Sequence, residues 1–293
     1  VTTIQKDNKT GTVTEITSFK DGTTTIVETP ATGRVIAEVN LSQTTVANSS
    51  GTVKLPIPNL PVTSNDADAP VVKVRWPANI QDMNVAIPLN EYNAGVVAVI
   101  IKADGSEKIV CKSTMIGNDL IVPLSGNVTI KLIDNSMQFA DVDYNHWAAD
   151  AIAFATSRGL FEGIGDSKFA PDTNMSRDML VTVLHRLEDT PVSNEVMYFP
   201  DVNGDAWYAE ALQWATANKI ISGYGNGTFG PNGNVTREQI AVILYRYANA
   251  IGMRTDERGY TNQFKDGDDI SAWAHDAMSW AIEAGLFNGD NQG

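Results

Sequence analysis

Phe199-Pro-Asp201-Val202, Trp207, Gly223-Tyr-Gly225-Asn-Gly227-Thr-Phe229-Gly-Pro231 and Thr236-Arg237-Glu238 lie in one stretch whose reading decides the architecture of this chain. Upstream of it the same residue types recur in the same order: Phe139-Ala-Asp141-Val142, Trp147, Gly163-Ile-Gly165-Asp-Ser-Lys-Phe169-Ala-Pro171 and Ser176-Arg177-Asp178. A third copy begins at Phe264-Lys-Asp266 and continues through Trp273 to Gly289. Gly163, Gly223 and Gly289 keep one offset from Trp147, Trp207 and Trp273. In the two complete copies the pairs Phe169 and Phe229, Pro171 and Pro231, and Arg177 and Arg237 each keep theirs. A period of roughly 60 to 65 residues means one supersecondary unit used about three times. The third copy stops at Gly293, before its Phe-x-Pro loop and second helix, and the chain lacks a leader at Val1, so it reads as a mature protein or an excised fragment.

Each unit has a physical reading. Apolar residues at helical spacing predict helices over Ala148–Arg158, Met179–Leu187, Ala209–Lys219 and Gln239–Ile251. The Gly-rich loops between them supply positive φ and close backbone approach. Ser176 and Thr236 are helix caps, and Thr236 with Gln239 has capping-box spacing whereas Ser176 with Met179 does not.

Ahead of Phe139 the pattern is different. Thr- and Val-rich runs at Thr12–Phe19 and Thr23–Thr29 flank Asp21-Gly22, and runs at Val96–Lys102 and Lys108–Lys112 flank Asp104-Gly105, both hairpin signals. Further strands are expected near 33–39, 71–74, 84–87, 119–122 and 127–133. Pro56, Pro58, Pro61 and Pro70 bracket a loop. Many short strands between turns predict an all-β, Ig-like antiparallel sandwich. The expected division is a β-hairpin segment or linker over 1–40, the sandwich over 41–137, and repeats over 138–198, 199–263 and 264–293, the last truncated.

Charge separates the halves. Residues 1–138 carry 11 Lys/Arg and 13 Asp/Glu, a net of −2, and residues 139–293 carry 10 and 22, a net of −12. So acidic a surface argues against nucleic acid and anionic membranes as partners. No run of apolar residues is long enough to span a bilayer. The single Cys111 has no internal disulfide partner and reads as a small strand residue.

The repeat resembles the S-layer homology family. The resemblance rests on Phe-x-Asp-Val, the Trp, Gly-x-Gly-x-x-x-Phe-x-Pro and Ser/Thr-Arg-Asp/Glu, and covers the chain from Phe139 to its end. It implies that the second half is an all-α, pseudo-threefold helical domain. It further implies an extracellular place in the cell wall or S-layer of a Gram-positive bacterium, and a noncatalytic anchoring role. The partner implied is secondary cell-wall polysaccharide, often bearing a pyruvate ketal; no cofactor is implied, and oligomeric state is left open. The family's four-residue Thr-Arg-Ala-Glu motif falls on Ser176-Arg177-Asp178-Met179 and Thr236-Arg237-Glu238-Gln239, both of which keep the Arg and lose the final Glu. Where the family often has Gly two residues before the Trp, this chain has Asn145, Asp205 and Ser271.

The residues that would hold an acidic sugar follow. Arg177 and Arg237 stand just after helix caps, where a cation opposes the macrodipole, so a carboxylate ligand would give them a reason to be there. Trp147, Trp207 and Trp273 offer flat apolar faces for sugar rings, or they are core residues. Asp141, Asp201 and Asp266 either accept sugar hydroxyls or cap turns. Trp214 and Trp280, two helical turns beyond Trp207 and Trp273, are expected in the core. Asp201-Val-Asn203-Gly-Asp205 begins like a calcium loop but has Ala206 and Leu212 where Gly and an acid are required. His146, His185 and His275 fall in no metal-ligand spacing, and no nucleophile elbow or P-loop is present, so neither metal nor catalysis is expected. His185 is expected on a helix surface. Two other functions fit the same sequence: an adhesion or glycan-binding module in the β half, motivated by the solitary Trp76, and a self-assembling surface-lattice protein.

Overall fold

The computed structural model describes residues 1–78, 80, 82–195 and 199–289. They fall into two compact units, Val1–Pro171 and Asp172–Gly293. In the first unit the strands are β1 (Thr2–Lys6), β2 (Val13–Ser18), β3 (Thr24–Thr29), β4 (Ile36–Asn40), β5 (Thr52–Lys54), β6 (Val71–Arg75), β7 (Asp82–Pro88), β8 (Val96–Ile101), β9 (Glu107–Ile109), β10 (Thr114–Ile116), β11 (Asp119–Ser125) and β12 (Val128–Asp134). A short helix α1 (Gln43–Ala47) lies between β4 and β5, and α2 (Ala149–Ser157) follows β12. One sheet runs β1-β2-β3-β4-β6-β12-β8-β9 and the other β10-β11-β7-β5. Alternating apolar residues point inward from both: Val72, Val74, Ala98, Ile130 and Leu132 from the first, Val85, Ile87, Leu120 and Val122 from the second. Asp21-Gly22 and Asp104-Gly105 do turn hairpins, β2–β3 with Ile16 opposite Ile26, and β8–β9 with Val99 opposite Ile109.

The expected fold class is corrected on both sides. The first part is a two-sheet sandwich, but not an all-β, Ig-like antiparallel one: β4 pairs with β6 and β5 with β7 in parallel, and α1 sits in the crossover. Hairpin signals are local, and parallel partners lie far apart in sequence, so turn chemistry could not reveal them. The second part is not all-α either. Among the described residues, isolated bridges join Gly165 to Lys168 and Ser176 to Asn234, and two 3₁₀ turns occupy Thr261–Gln263 and Gly267–Asp269. The chain is mixed in class.

Helices α3 (Arg177–Leu187), α4 (Ala209–Ala217), α5 (Arg237–Ala250) and α6 (His275–Glu283) stand close to the periodic runs or, for α6, after the third Trp. Their pairing is offset from the sequence repeat. The second helix of one copy packs on the first helix of the next: α3 on α4, and α5 on α6. Leu180, Val181 and Leu184 meet Leu212, Trp214 and Ala215 in one core, and Ala241 and Ala248 meet Ala277, Trp280 and Ala281 in another. Trp214 and Trp280 are each 6% exposed. His185 is buried, against the expectation of a surface position: its ring lies 5.4 Å from that of Trp214, and its Nε2 is 3.0 Å from the Pro191 carbonyl.

In the first unit α2 packs instead on β8. The residue that fixes it is Arg158, at the C-cap of α2 and 2% exposed. Its guanidinium donates to the carbonyls of Ser113 (2.8 Å), Ala94 (3.1 Å), Val96 (3.0 Å) and Phe154 (3.2 Å), and lies 3.9 Å over the Phe154 ring. Burial pushes its pKa down to about 10, so it stays charged at neutral pH. Asn218 and Ala284 occupy the same place in the other copies. They need no such fork, because α4 and α6 have helical partners.

Within each copy the Phe-x-Asp start grips the later loop. Asp141 accepts the amides of Phe169 (2.9 Å) and Ala170 (2.8 Å), and Asp201 those of Phe229 (2.9 Å) and Gly230 (2.7 Å). Phe139 packs on Phe169 at 5.4 Å between ring centroids, and Phe199 on Phe229 at 5.6 Å. The glycines that recur after the Trp let the ring in: a Cβ on Gly223 would stand 2.6 Å from Phe199 Cε1, and one on Gly163 2.8 Å from Phe139 Cε1. For Asp141 the Phe169 amide is the main reason its pKa lies below the ordinary carboxylate value. For Asp201 desolvation opposes the charge, and the Phe229 and Gly230 amides more than offset it.

These contacts can be tested by substitution. Arg158→Ala strips the donor from several buried carbonyls at roughly 1–3 kcal/mol each, so urea unfolding should show a loss of at least about 3 kcal/mol. Asp201→Asn should lower the Tm at neutral pH. Because the folded pKa is depressed, the clamp's contribution is present above the ordinary value of 3.8 and is lost as pH falls through the folded one. The Tm gap between wild type and variant should therefore close in the acid range, as followed by calorimetry across pH.

Candidate functional site

The clamp and the helix pairing together create a cleft in the second unit, with a volume of about 380 Å³. One wall is the Gly-rich loop through Ser222, Gly223 and Tyr224. Another is the face of α5 that carries Gln239, Val242, Ile243 and Arg246, spaced i, i+3, i+4, i+7. Trp273 lines the cleft as well, and Arg177 lies within it. Thr236 and Gln239 form a complete capping box at the start of α5, which fixes the Gln239 backbone beside the cleft.

Arg177 is only 5% exposed. Its Nε donates to the Phe229 carbonyl (3.0 Å) and its Nη2 to the Ser222 carbonyl (3.3 Å), with the rings of Tyr224 and Phe229 4.8 and 4.7 Å from its guanidinium carbon. Burial draws its pKa down. Arg237 repeats the contact one copy later: Nη2 donates to the Asn288 carbonyl at 3.1 Å, with the Phe287 ring 5.5 Å away. Ser222 and Asn288 hold equivalent positions, each directly before the recurring glycine of its copy. The cation at the helix start thus has a structural reason: it ties the start of one helix to the loop of the next copy.

Arg237 lines a second cleft, of about 210 Å³, together with Glu238, Asp266, Asp269, Phe264 and Phe287. Glu238 there accepts the Ser271 amide at 2.6 Å and the Ser271 hydroxyl at 3.1 Å. The two clefts therefore differ in sign. The first is lined by two guanidiniums and no carboxylate, the second by one guanidinium and three carboxylates.

The other expected site residues are distributed as follows. Trp147, Trp207 and Trp273 are 89%, 62% and 59% exposed, which places all three on the surface rather than in the core. Only Trp273 is brought to the cationic cleft, and Asp266 to the acidic one. Asp141 and Asp201 have both carboxylate oxygens engaged by backbone amides. Trp76 packs against the sandwich core. Among the described residues no three His, Cys, Asp or Glu side chains are grouped to hold a metal ion, and no helix is long and apolar enough to cross a membrane.

Sequence reading missed Arg246. The signal was present: Arg186 and Arg246 stand at one common offset from Trp147 and Trp207, so this cation repeats as faithfully as Arg177 and Arg237 do.

Comparison with known proteins agrees with the repeat. Residues 138–178, 198–241 and 263–293 match the S-layer homology domain. The chain is 30% identical to an amylopullulanase of Thermoanaerobacterium thermosulfurigenes over 57% of its own length and 9% of the relative's. It is 27% identical to S-layer protein sap of Bacillus anthracis, covering 50% of this chain and 18% of that one. With a cellulosome-anchoring protein of Acetivibrio thermocellus it shares 28% identity over 39% of this chain and 26% of the relative. The chain thus spans only a minor part of each of these proteins. The three repeated segments of its second half, from residue 138 onward, belong to the S-layer homology family.

Proposed function

We propose that this chain holds a protein on the bacterial cell surface by binding an acidic wall polysaccharide, such as a pyruvylated one, in the cleft of Arg177, Arg246 and Trp273. The observation that carries the reading is the composition of that cleft. In a half of the chain with a net charge of −12, two guanidiniums and an exposed indole line one concavity with no carboxylate among them. A carboxylate on a sugar ring matches that pattern: the charge meets the cations and the apolar ring face meets the indole. The names of the relatives point the same way, one being an S-layer protein and another a cellulosome-anchoring protein. Catalysis has no part in the reading, and the sandwich serves as a spacer.

Purified wall polysaccharide should retain the protein, retention should fall with added salt as expected of an exposed ionic contact, and removal of the pyruvate groups should weaken it. Retention that is indifferent to both treatments would rule the acidic ligand out. Trp273→Ala should lower affinity about tenfold, or about 1.4 kcal/mol, with the Tm unchanged, because the indole is exposed. Trp214→Ala should instead destabilise the fold by about 3–5 kcal/mol. The contrast is read by titration calorimetry beside thermal melts.

A further inference from the structure

We infer that Arg246, not the motif residue Arg177, is the group that selects for acid in this cleft, and that Arg177 is a positioning residue that builds it. The inference rests on the reading of the cleft as a sugar site and assigns roles within it. Arg177 lies buried in the cleft with two of its five N–H donors committed to backbone carbonyls. Nε and Nη2 go to the Phe229 and Ser222 carbonyls, and the guanidinium lies against Tyr224 and Phe229. At 5% exposure it offers little of its fork to a ligand. What it does is hold the loop from Ser222 to Phe229 against the start of α3, which fixes one wall.

Arg246 differs on each count. It is exposed, on the third turn of α5, and lines the cleft beside Gln239, Val242 and Ile243. Its Nη1 donates to the Ser222 hydroxyl at 3.1 Å. Among the described residues no carboxylate pairs with it. A neutral hydroxyl orients the fork without neutralising it, so the remaining donors stay available for a bidentate carboxylate contact. Ser222 is the junction: its carbonyl receives the buried arginine and its hydroxyl steers the exposed one. The ligand class is a sugar carrying a carboxylate, with its ring toward Trp273.

The test uses the whole chain and two probes: purified acidic wall polysaccharide, and the same polymer with its carboxylates reduced to alcohols. Wild type should prefer the acidic form by tenfold or more. Arg246→Gln should bind both forms alike, at the wild-type level for the reduced polymer, with an unchanged Tm. Arg246→Lys should keep part of the preference. Arg177→Gln should lower the Tm and weaken binding to both forms together. Should wild type bind neither form, the reading of the cleft as a sugar site fails. Should wild type prefer the acidic form and Arg246→Gln keep that preference, the reading stands and this assignment falls. An Arg177→Lys variant with a wild-type Tm and no preference would reverse the roles and also overturn it.

Discussion

A carboxylate at the start of each complete copy, gripping two successive backbone amides far along the same copy, is the constraint on which the repeat depends. The loop between the two helices of a copy is rich in glycine and has little side-chain area to bury. It would otherwise sample many conformations, and ordering it has an entropic cost for each residue fixed. Asp141 and Asp201 each remove that freedom with a charge-assisted pair of hydrogen bonds, and the Phe two residues before each of them closes on the loop's own Phe. Gly163 and Gly223 belong to the same device, since a Cβ at either would meet the incoming ring. With the loop fixed, its carbonyls become fixed acceptors. Arg177 can then span from the start of one helix to the loop of the following copy. The cleft is a by-product of this order: clamp first, then span, then the face of α5 closing the wall.

The same offset explains how the repeat begins. A helix that packs on the second helix of the preceding copy has no such partner in the first copy. The chain solves this with the sandwich: α2 lies on β8, and a single buried guanidinium replaces a helix–helix interface. Three buried carbonyls, of Ser113, Ala94 and Val96, around one cation make a stringent contact, because removing the guanidinium takes a donor from each of them. The sandwich therefore supports the first half-copy directly as well as standing ahead of it.

Much of this was legible in the sequence. The offsets from Trp to Gly, Phe, Pro and Arg located the loops and helices, because side-chain periodicity and turn chemistry are local properties. The core positions of Trp214 and Trp280 followed from two-turn spacing. Pairings between distant segments were not legible. The parallel ladders β4–β6 and β5–β7 arise from a crossover that hairpin signals cannot report. The polarity of His185 favours a surface position, but packing beside Trp214 with a carbonyl partner satisfies it in the core. Helix-dipole reasoning marked Arg177 and Arg237 as anomalous, which they are, but the anomaly is resolved by backbone carbonyls of the neighbouring copy, which a reading along one helix cannot contain.

That resolution changes what the repeat means for recognition. Contacts that recur, such as the amide grip of Asp141 and Asp201 or the carbonyl reached by Arg177 and Arg237 directly before the recurring glycine, do not distinguish one cleft from another. Distinction comes from positions that line a cleft without holding it together. Ser222 in one copy and Asn288 in the next present the same carbonyl but different side chains, and only the hydroxyl steers a second guanidinium. Around Arg237 the lining is Glu238, Asp266 and Asp269, so the net sign there is reversed. An anion drawn to the first cleft would be repelled from the second by carboxylates within a Debye length of about 8–10 Å. Equivalent clefts in a repeat protein need not be equal sites, and here the difference in their linings predicts that one of them carries the selectivity.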